Sequence, residues 1–323
     1  MLRLSPPGRQ RFAQAPHFEI TFGGAEANVA VMLAQLGASA SFVTKLPENE
    51  LAQRAINELR GLGVGVGHVV RGGERIGVYF LEQGASQRAG KVIYDRANSA
   101  VAAAQPGDFD WSRILDGAEW LHWSGITPAL STSASAIVAE ACVVAKRGGL
   151  TVSFDLNYRA KLWSREAAGQ TLAPLMEHVD LCITSVEEAR TVFGLNCDEA
   201  ASNREEDAAP RLHARFGFKT IALTMRSADT ADSTSWGAML FVDGKAYFSK
   251  RYEIAIVDRV GAGDSFTGAL IFALRRGDNP QSAIDFAVAA SALKHTLPGD
   301  YALITLPEVE ALAAGAGGGR VQR

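Results

Sequence analysis

Residues 260–266, VGAGDSF, set two glycines around an alanine and follow them with an acid, a hydroxyl and an aromatic ring. Downstream, Phe266, Ala269, Leu270, Ala273 and Leu274 fall at the i, i+3, i+4, i+7, i+8 spacing of one helix face, and Gly277 supplies a C-terminal stop. The glycines therefore open a helix, where free backbone N–H groups and the helix dipole attract phosphate-like charge. Asp264 then stands inside an anion site, where a second negative charge is costly unless it has a task. Taking the proton from a hydroxyl that attacks a phosphate is such a task. The other reading makes Asp264 the N-cap of an ordinary helix. This stretch alone does not separate the two.

The rest of the chain sets the frame. Its 323 residues, 47% hydrophobic and 21% charged with 32 glycines, suit one large α/β domain carrying a small appendage. A net charge of −3 argues against a nucleic-acid binder. Cys142, Cys182 and Cys197 are odd in number and lack CxxC spacing, which predicts reduced, mostly buried thiols in the cytoplasm. Six histidines form no HxxxH or HxH pair, so no transition-metal site is predicted. No run reaches the length of a membrane span, and MLRLSPPGRQRF (1–12) has charge and prolines where a signal peptide needs an apolar core.

From about residue 101 strands and helices alternate. The apolar runs EWLHWSG (119–125), LTVSFDLN (150–157), DLCITS (180–185) and TIALTM (220–225) are separated by helical stretches near 131–147, 165–178, 186–193 and 205–216. That rhythm predicts βαβ units around a parallel sheet. Residues 23–37 and 49–64 predict two further helices, and Asp243-Gly244 predicts a hairpin between two apolar runs. Residues 2–22 and 73–99 break the rhythm with alternating strands and no crossover helix. They predict an antiparallel lid, residues 2–22 with 73–99, beside a core of residues 23–72 and 100–323. The apolar faces of GVYFLE (77–82) and KVIYD (91–95) would have to cover a ligand, a second copy of the chain, or both, which predicts a homodimer joined through the lid.

GGAEANVAVMLAQLG (23–37) and DRVGAGDSFTGAL (258–270), about 235 residues apart, resemble the N-terminal glycine motif and C-terminal signature of the ribokinase-like (PfkB) family of carbohydrate kinases. The resemblance covers nearly the whole chain. It implies a doubly wound, mostly parallel α/β sheet with flanking helices and a small β-sheet lid, and ATP-dependent phosphorylation of a sugar-like hydroxyl. Asp264 would be the base, and the backbone of Gly261, Ala262 and Gly263 the anion hole. Asp258 matches an aspartate used near a monovalent-cation site, which would hold K⁺. GASQRAGKVIYDRANSA (84–100), DLNYRAKLW (155–163), AASALKHTLPGD (289–300) and GRVQR (319–323) are similar to the bacterial 2-keto-3-deoxygluconate kinases. On that resemblance Gly24 and Asn28 contact substrate hydroxyls, Tyr79, Tyr94 and Arg96 reach down from the lid, and Arg159 meets the carboxylate of a sugar acid. Ser185, Thr224, Arg226, Gly261, Gly263 and His295 fall on the nucleotide side, and Glu188 orders water on Mg²⁺. A planar guanidinium suits a carboxylate; the plain reading instead pairs Arg159 with Asp155 at a strand end.

Three departures from the family pattern stand out. Relatives carry a further strand ending in Gly-Glu ahead of MLRLSPPG, in the middle of the main sheet, so an open place in that sheet is expected. TSVEEA (184–189) has Ser185 where the family has asparagine. TMRSADTADSTSWGA (224–238) inserts polar residues near the nucleotide, either as a flap over the adenosine or as disordered surface. Other function classes are a kinase for another sugar or the galacto epimer, a dinucleotide-dependent oxidoreductase, and a sensor without chemistry. The oxidoreductase lacks a GxGxxG after a first strand. The sensor has no need of Asp264.

Overall fold

The structure is a computed structural model and describes residues 1–196 and 203–316, without the side chains of residues 228 and 229. Cys197 and the closing GRVQR lie outside the described residues. In chain order the first elements are β1 (Leu2–Ser5), β2 (Glu19–Phe22), α1 (Ala25–Gln35), β3 (Thr44–Leu46), α2 (Glu50–Gly61), β4 (Val69–Arg71), β5 (Val78–Glu82) and β6 (Lys91–Asp95). There follow α3 (Trp111–Ile114), β7 (Trp120–Ser124), α4 (Thr132–Arg147), β8 (Thr151–Asp155), α5 (Arg165–Leu172), β9 (Leu181–Thr184), α6 (Val186–Phe193) and α7 (Arg204–Phe216). The last elements are β10 (Thr220–Thr230), β11 (Ser233–Val242), β12 (Lys245–Phe248), β13 (Tyr252–Ala255), α8 (Ala262–Arg276), α9 (Pro280–Lys294) and α10 (Leu306–Ala313).

Local chemistry sets many of these boundaries. Asn49, Ser131, Ser164, Ser185 and Asn279 each accept a backbone N–H in the first turn of α2, α4, α5, α6 and α9, satisfying a donor the helix cannot. Gly277 ends α8 at φ 84°, where only glycine is unstrained. Asp243 and Gly244, at φ 52° and 74°, turn β11 into β12 as their pairing predicts.

The main sheet runs β12-β11-β10-β9-β8-β7, with β13 also on β11. Strands β7 to β10 are parallel, and the hairpin strands beyond them are antiparallel. Alternate residues face opposite layers: Cys182, Ile221 and Leu223 pack toward α4–α7, while Leu181, Ile183 and Ala222 pack toward α8 and α9. Burial on both faces explains why these strands read as continuous apolar runs. Among the described residues the sheet path ends at β7, and β3 and β4 form a separate pair. An open cleft runs along Leu121 and Trp123 of β7, at the place where a further strand was expected.

The small sheet runs β2-β1-β5-β6 and draws its strands from residues 2–22 and 73–99. One pairing differs from the expected antiparallel pattern: β1 and β5 are parallel, Leu2 opposite Val78. The long excursion through α1, β3, α2 and β4 returns the chain in the same direction. The polar insertion at 224–238 is not disordered surface. It prolongs β10 and β11 into one hairpin, with Arg226 opposite Trp236 and Thr230 opposite Ser233. Its tip docks on the lid: Ala231 N–H donates to Ser86 O at 2.8 Å, Ser86 N–H to Asp232 Oδ2 at 2.6 Å, and Arg9 pairs with Asp232 at 2.7 Å.

Candidate active site

Parallel strands leave their carboxyl ends pointing one way, and the open edge there is where α/β sheets hold ligands. Asp155 ends β8, Thr184 ends β9, and the N-termini of α1 and α8 face them across a cleft of about 1320 Å³ that runs on along β7. The glycine turn before α8 is as the sequence predicts. Gly261 is the N-cap at φ 81°, with no side chain capping the helix. A Cβ at Gly261 would overlap the Asp300 carbonyl oxygen, and one at Gly263 would meet nothing within 4 Å. The turn is thus pressed against 299–300 on one side and open to the cleft on the other, a cradle suited to a phosphoryl group.

Asp264 is not a cap. Its Oδ2 accepts Asn28 Nδ2 at 2.6 Å, so the two glycine motifs meet at this carboxylate. Burial pushes Asp264 up to about 7, against the pull of Asn28 and Arg159, with Asp300 and Glu26 adding to the rise. A carboxyl that titrates near neutrality matches a general base. Gly24 donates its N–H to Asn28 Oδ1 at 3.3 Å and so orients the amide that serves Asp264.

Two guanidinium groups share the cleft. Arg96 is buried, its Cζ 4.1 Å from the Tyr94 ring centre, and its Nε and Nη2 have no partner among the described residues. Burial, and then the nearby Arg159, lowers its affinity for a proton. Arg159 has no ion pair among the described residues; its Nη1 donates to Tyr158 O at 3.1 Å. The structural Asp155–Arg159 pair is absent. Two guanidinium groups in one cleft, neither in an ion pair among the described residues, suit an anionic ligand.

On the other wall, Asp155 is pushed well above the usual carboxylate range by burial first, then by the charges of Glu188 and Asp264. Glu188 accepts Tyr158 N–H at 3.1 Å and Ser185 Oγ at 3.3 Å. This crowding of carboxylates fits a divalent cation. Ser185 itself caps α6. Thr224 donates to Thr184 O at 3.3 Å, and Arg226 and His295 line the same side of the cleft. The His295 ring is buried, bonded through Nδ1 to Ser291 O at 2.7 Å, and held neutral with its proton affinity lowered to about 4 by burial. Its imidazole is therefore a wall and not a titrating contact.

Asp258 is placed differently from the expectation. Its Oδ2 takes Arg3 Nη2 at 2.6 Å and Gly299 N–H at 3.1 Å, and its Oδ1 takes Val260 N–H at 3.0 Å. Tyr79 points its hydroxyl at both oxygens of Asp300 at 2.6 Å. Three residues escaped the sequence reading. Arg3 carries no local signal beyond a lone charge, and Asp300 entered only as the last residue of the stretch 289–300, with no role. Asp155, read as a strand-end partner for Arg159, instead ends β8 among the acids of the cleft. Glu26, whose Oε1 accepts Ser124 Oγ at 2.8 Å and Thr127 Oγ1 at 2.7 Å, sits in the first turn of α1. An acid at a helix start was the one signal that could have found it.

Comparison with known proteins gives consistent results. Residues 4–306 match the model of the pfkB family carbohydrate kinase. The chain is 37% identical to a 2-dehydro-3-deoxygalactonokinase of Haloferax volcanii, over 99% of this chain and 96% of that protein. It is 32% identical to a 2-dehydro-3-deoxygluconokinase of Thermoproteus tenax, over 95% and 88%. A crystal structure of 2-dehydro-3-deoxygluconokinase from Thermotoga maritima superposes with a TM-score of 0.96 at 50% identity, over 98% of this chain and 96% of that one.

Proposed function

The chain belongs to the pfkB family of carbohydrate kinases, and from that premise we propose that it transfers the γ-phosphoryl group of ATP to the terminal hydroxyl of 2-keto-3-deoxygluconate or its galacto epimer, forming the 6-phosphate. One observation carries the choice of an acid over a neutral sugar: Arg96 and Arg159 face the cleft without an ion pair among the described residues, and Arg96 Nε and Nη2 have no hydrogen-bond partner among them. The substrate carboxylate answers them, and Tyr79 and Tyr94 close over the sugar from the lid. Asn28 and Gly24 orient the hydroxyl end beside Asp264.

Asp264 takes the hydroxyl proton as the oxygen attacks, and the N–H groups at Gly261, Ala262 and Gly263 stabilise charge on the group in transit. Glu188, with Asp155 beside it, would hold Mg²⁺ through water, and the ion when bound would supply charge neutralisation on the phosphates. Thr224 and Arg226 flank the nucleotide. Among the described residues no helix is long and apolar enough to cross a membrane; the free, buried Cys142 and Cys182 and the proposed use of ATP support a cytoplasmic enzyme. Coupled ADP release is the test, run with both epimers, fructose and a neutral analogue. Turnover on fructose equal to that on the acids would remove the reading.

The pH profile follows from Asp264. As a base it works deprotonated, so kcat/KM is expected to fall as pH drops through about 7, the value to which burial raises it. A profile flat from pH 5 to 8 would assign the proton to another group. The lid also implies a homodimer. Phe18, Ile20 and Ile93 are 37%, 39% and 54% exposed on it, whereas β5, expected to be exposed, is largely buried. Light scattering at micromolar concentration is expected to give twice the 34.3 kDa chain mass, and Ile93→Glu to give the monomer.

A further inference from the structure

The place where the family resemblance put a monovalent cation is taken by a side chain of this protein. Arg3, on β1 of the lid, is 3% exposed. Its Nη2 lies 2.6 Å from Asp258, its Nη1 2.9 Å from Asp300, and its Nε donates to Ser5 Oγ at 2.8 Å. The two carboxylates hold the guanidinium permanently charged, despite burial. The remaining capacity of Asp258 is filled by the N–H groups of Val260 and Gly299 and, at 3.4 Å, by Gln83 Nε2. A bound potassium needs oxygens turned toward it. Here donors are turned toward the oxygens, so these residues do not fit the ion.

The location matters for the chemistry. Asp258 lies three residues before Gly261, and Asp300 is the residue whose carbonyl closes on Gly261. Lys294, fully buried, adds a second cation close to the same two acids and donates to Leu297 O at 3.1 Å. Without compensation, two acids behind the anion turn would repel a phosphate approaching its front. Arg3 answers both, and does so from the lid.

We propose that Arg3 is a positioning residue that does the work of a monovalent cation: it neutralises Asp258 and Asp300 and fixes the 258–261 turn, so that turnover needs no potassium. This rests on the kinase reading above. Arg3 does not line the cleft; it acts through the turn.

The first arm of the test needs no variant. Wild-type kcat is expected to agree within about twofold in tetramethylammonium and potassium buffers of equal ionic strength; a loss of tenfold or more without potassium overturns the proposal. In Arg3→Ala, kcat is expected to fall roughly 10- to 100-fold, the scale set by small misplacements of catalytic groups. The sugar-acid KM should move little. Added guanidinium or potassium should restore part of the rate, and tetramethylammonium should not. A lowered melting temperature with unchanged kcat reduces Arg3 to a structural tie and also overturns the proposal. Should Arg3→Ala fail to fold, Arg3→Lys, which keeps a charge, is expected to retain intermediate kcat and gain a response to guanidinium. If the wild type turns over no sugar acid, the kinase reading fails by itself. Melting curves then decide for Arg3: potassium should raise the melting temperature of Arg3→Ala and leave the wild type unchanged, and a potassium response in the wild type refutes the proposal.

Discussion

Asp264→Asn is expected to lower kcat by ~10²–10⁴-fold, the range for removing a general base, with little change in sugar-acid affinity. The amide keeps the shape and can still accept from Asn28 through its oxygen, so the 2.6 Å contact survives in kind. What disappears is the proton acceptor. Stability should move the other way. Asp264 is held near 7 in the fold, above its ordinary 3.8, so the folded state binds the proton more tightly than the unfolded chain. Its charge therefore costs stability progressively as pH rises from about 4 to about 7, and the full cost stands above that. Asp264→Asn is expected to melt higher than the wild type at pH 8, with the difference vanishing near pH 4. Turnover within a few-fold of wild type would show that Asp264 merely joins the two glycine motifs.

Arg159→Ala is the second large effect. Removing one partner of a desolvated charged pair costs roughly 2–5 kcal/mol. At about 1.4 kcal/mol per decade, that is on the order of 30- to 3,000-fold in kcat/KM for the acid. Arg159→Lys should recover only part, because a point charge cannot reproduce the planar fork. Turnover of a neutral analogue, low already, should barely change. The melting temperature should hold level, since Arg159 gives up a bond to Tyr158 O and no ion pair, and the relief of like charge near Arg96 offsets the lost attraction to Asp155 and Asp264. Equal losses on both substrates with a lower melting temperature would make Arg159 structural.

The local elements were legible because their signals are local. The amphipathic spacing after Phe266, the stop at Gly277 and the Asp243-Gly244 turn each act within a few positions, and each is where the sequence puts it. Asp264 beside Asn28 was legible only as a resemblance, since their contact spans 236 residues. What escaped is nonlocal by nature. The parallel pairing of β1 with β5 depends on how a long excursion returns. The hairpin beyond Met225 is held by the lid loop it meets, whereas its own composition reads as surface. Arg3 is one arginine among many until the fold sets it between Asp258 and Asp300.

Asp300 has a glycine pressed against it from each motif. A Cβ at Gly23 would overlap its side chain, and a Cβ at Gly261 its carbonyl oxygen. The same side chain holds Arg3 and Tyr79. Single-step evolutionary drift at these positions is therefore closed. Alanine at 23 evicts the carboxylate, and alanine at 261 must also adopt a left-handed backbone. A smaller residue at 300 would make room at Gly23 but take from Arg3 one of its two carboxylates, and it would leave the backbone overlap at 261 in place. Deep mutational scanning should therefore find positions 23, 261 and 300 each closed to single change.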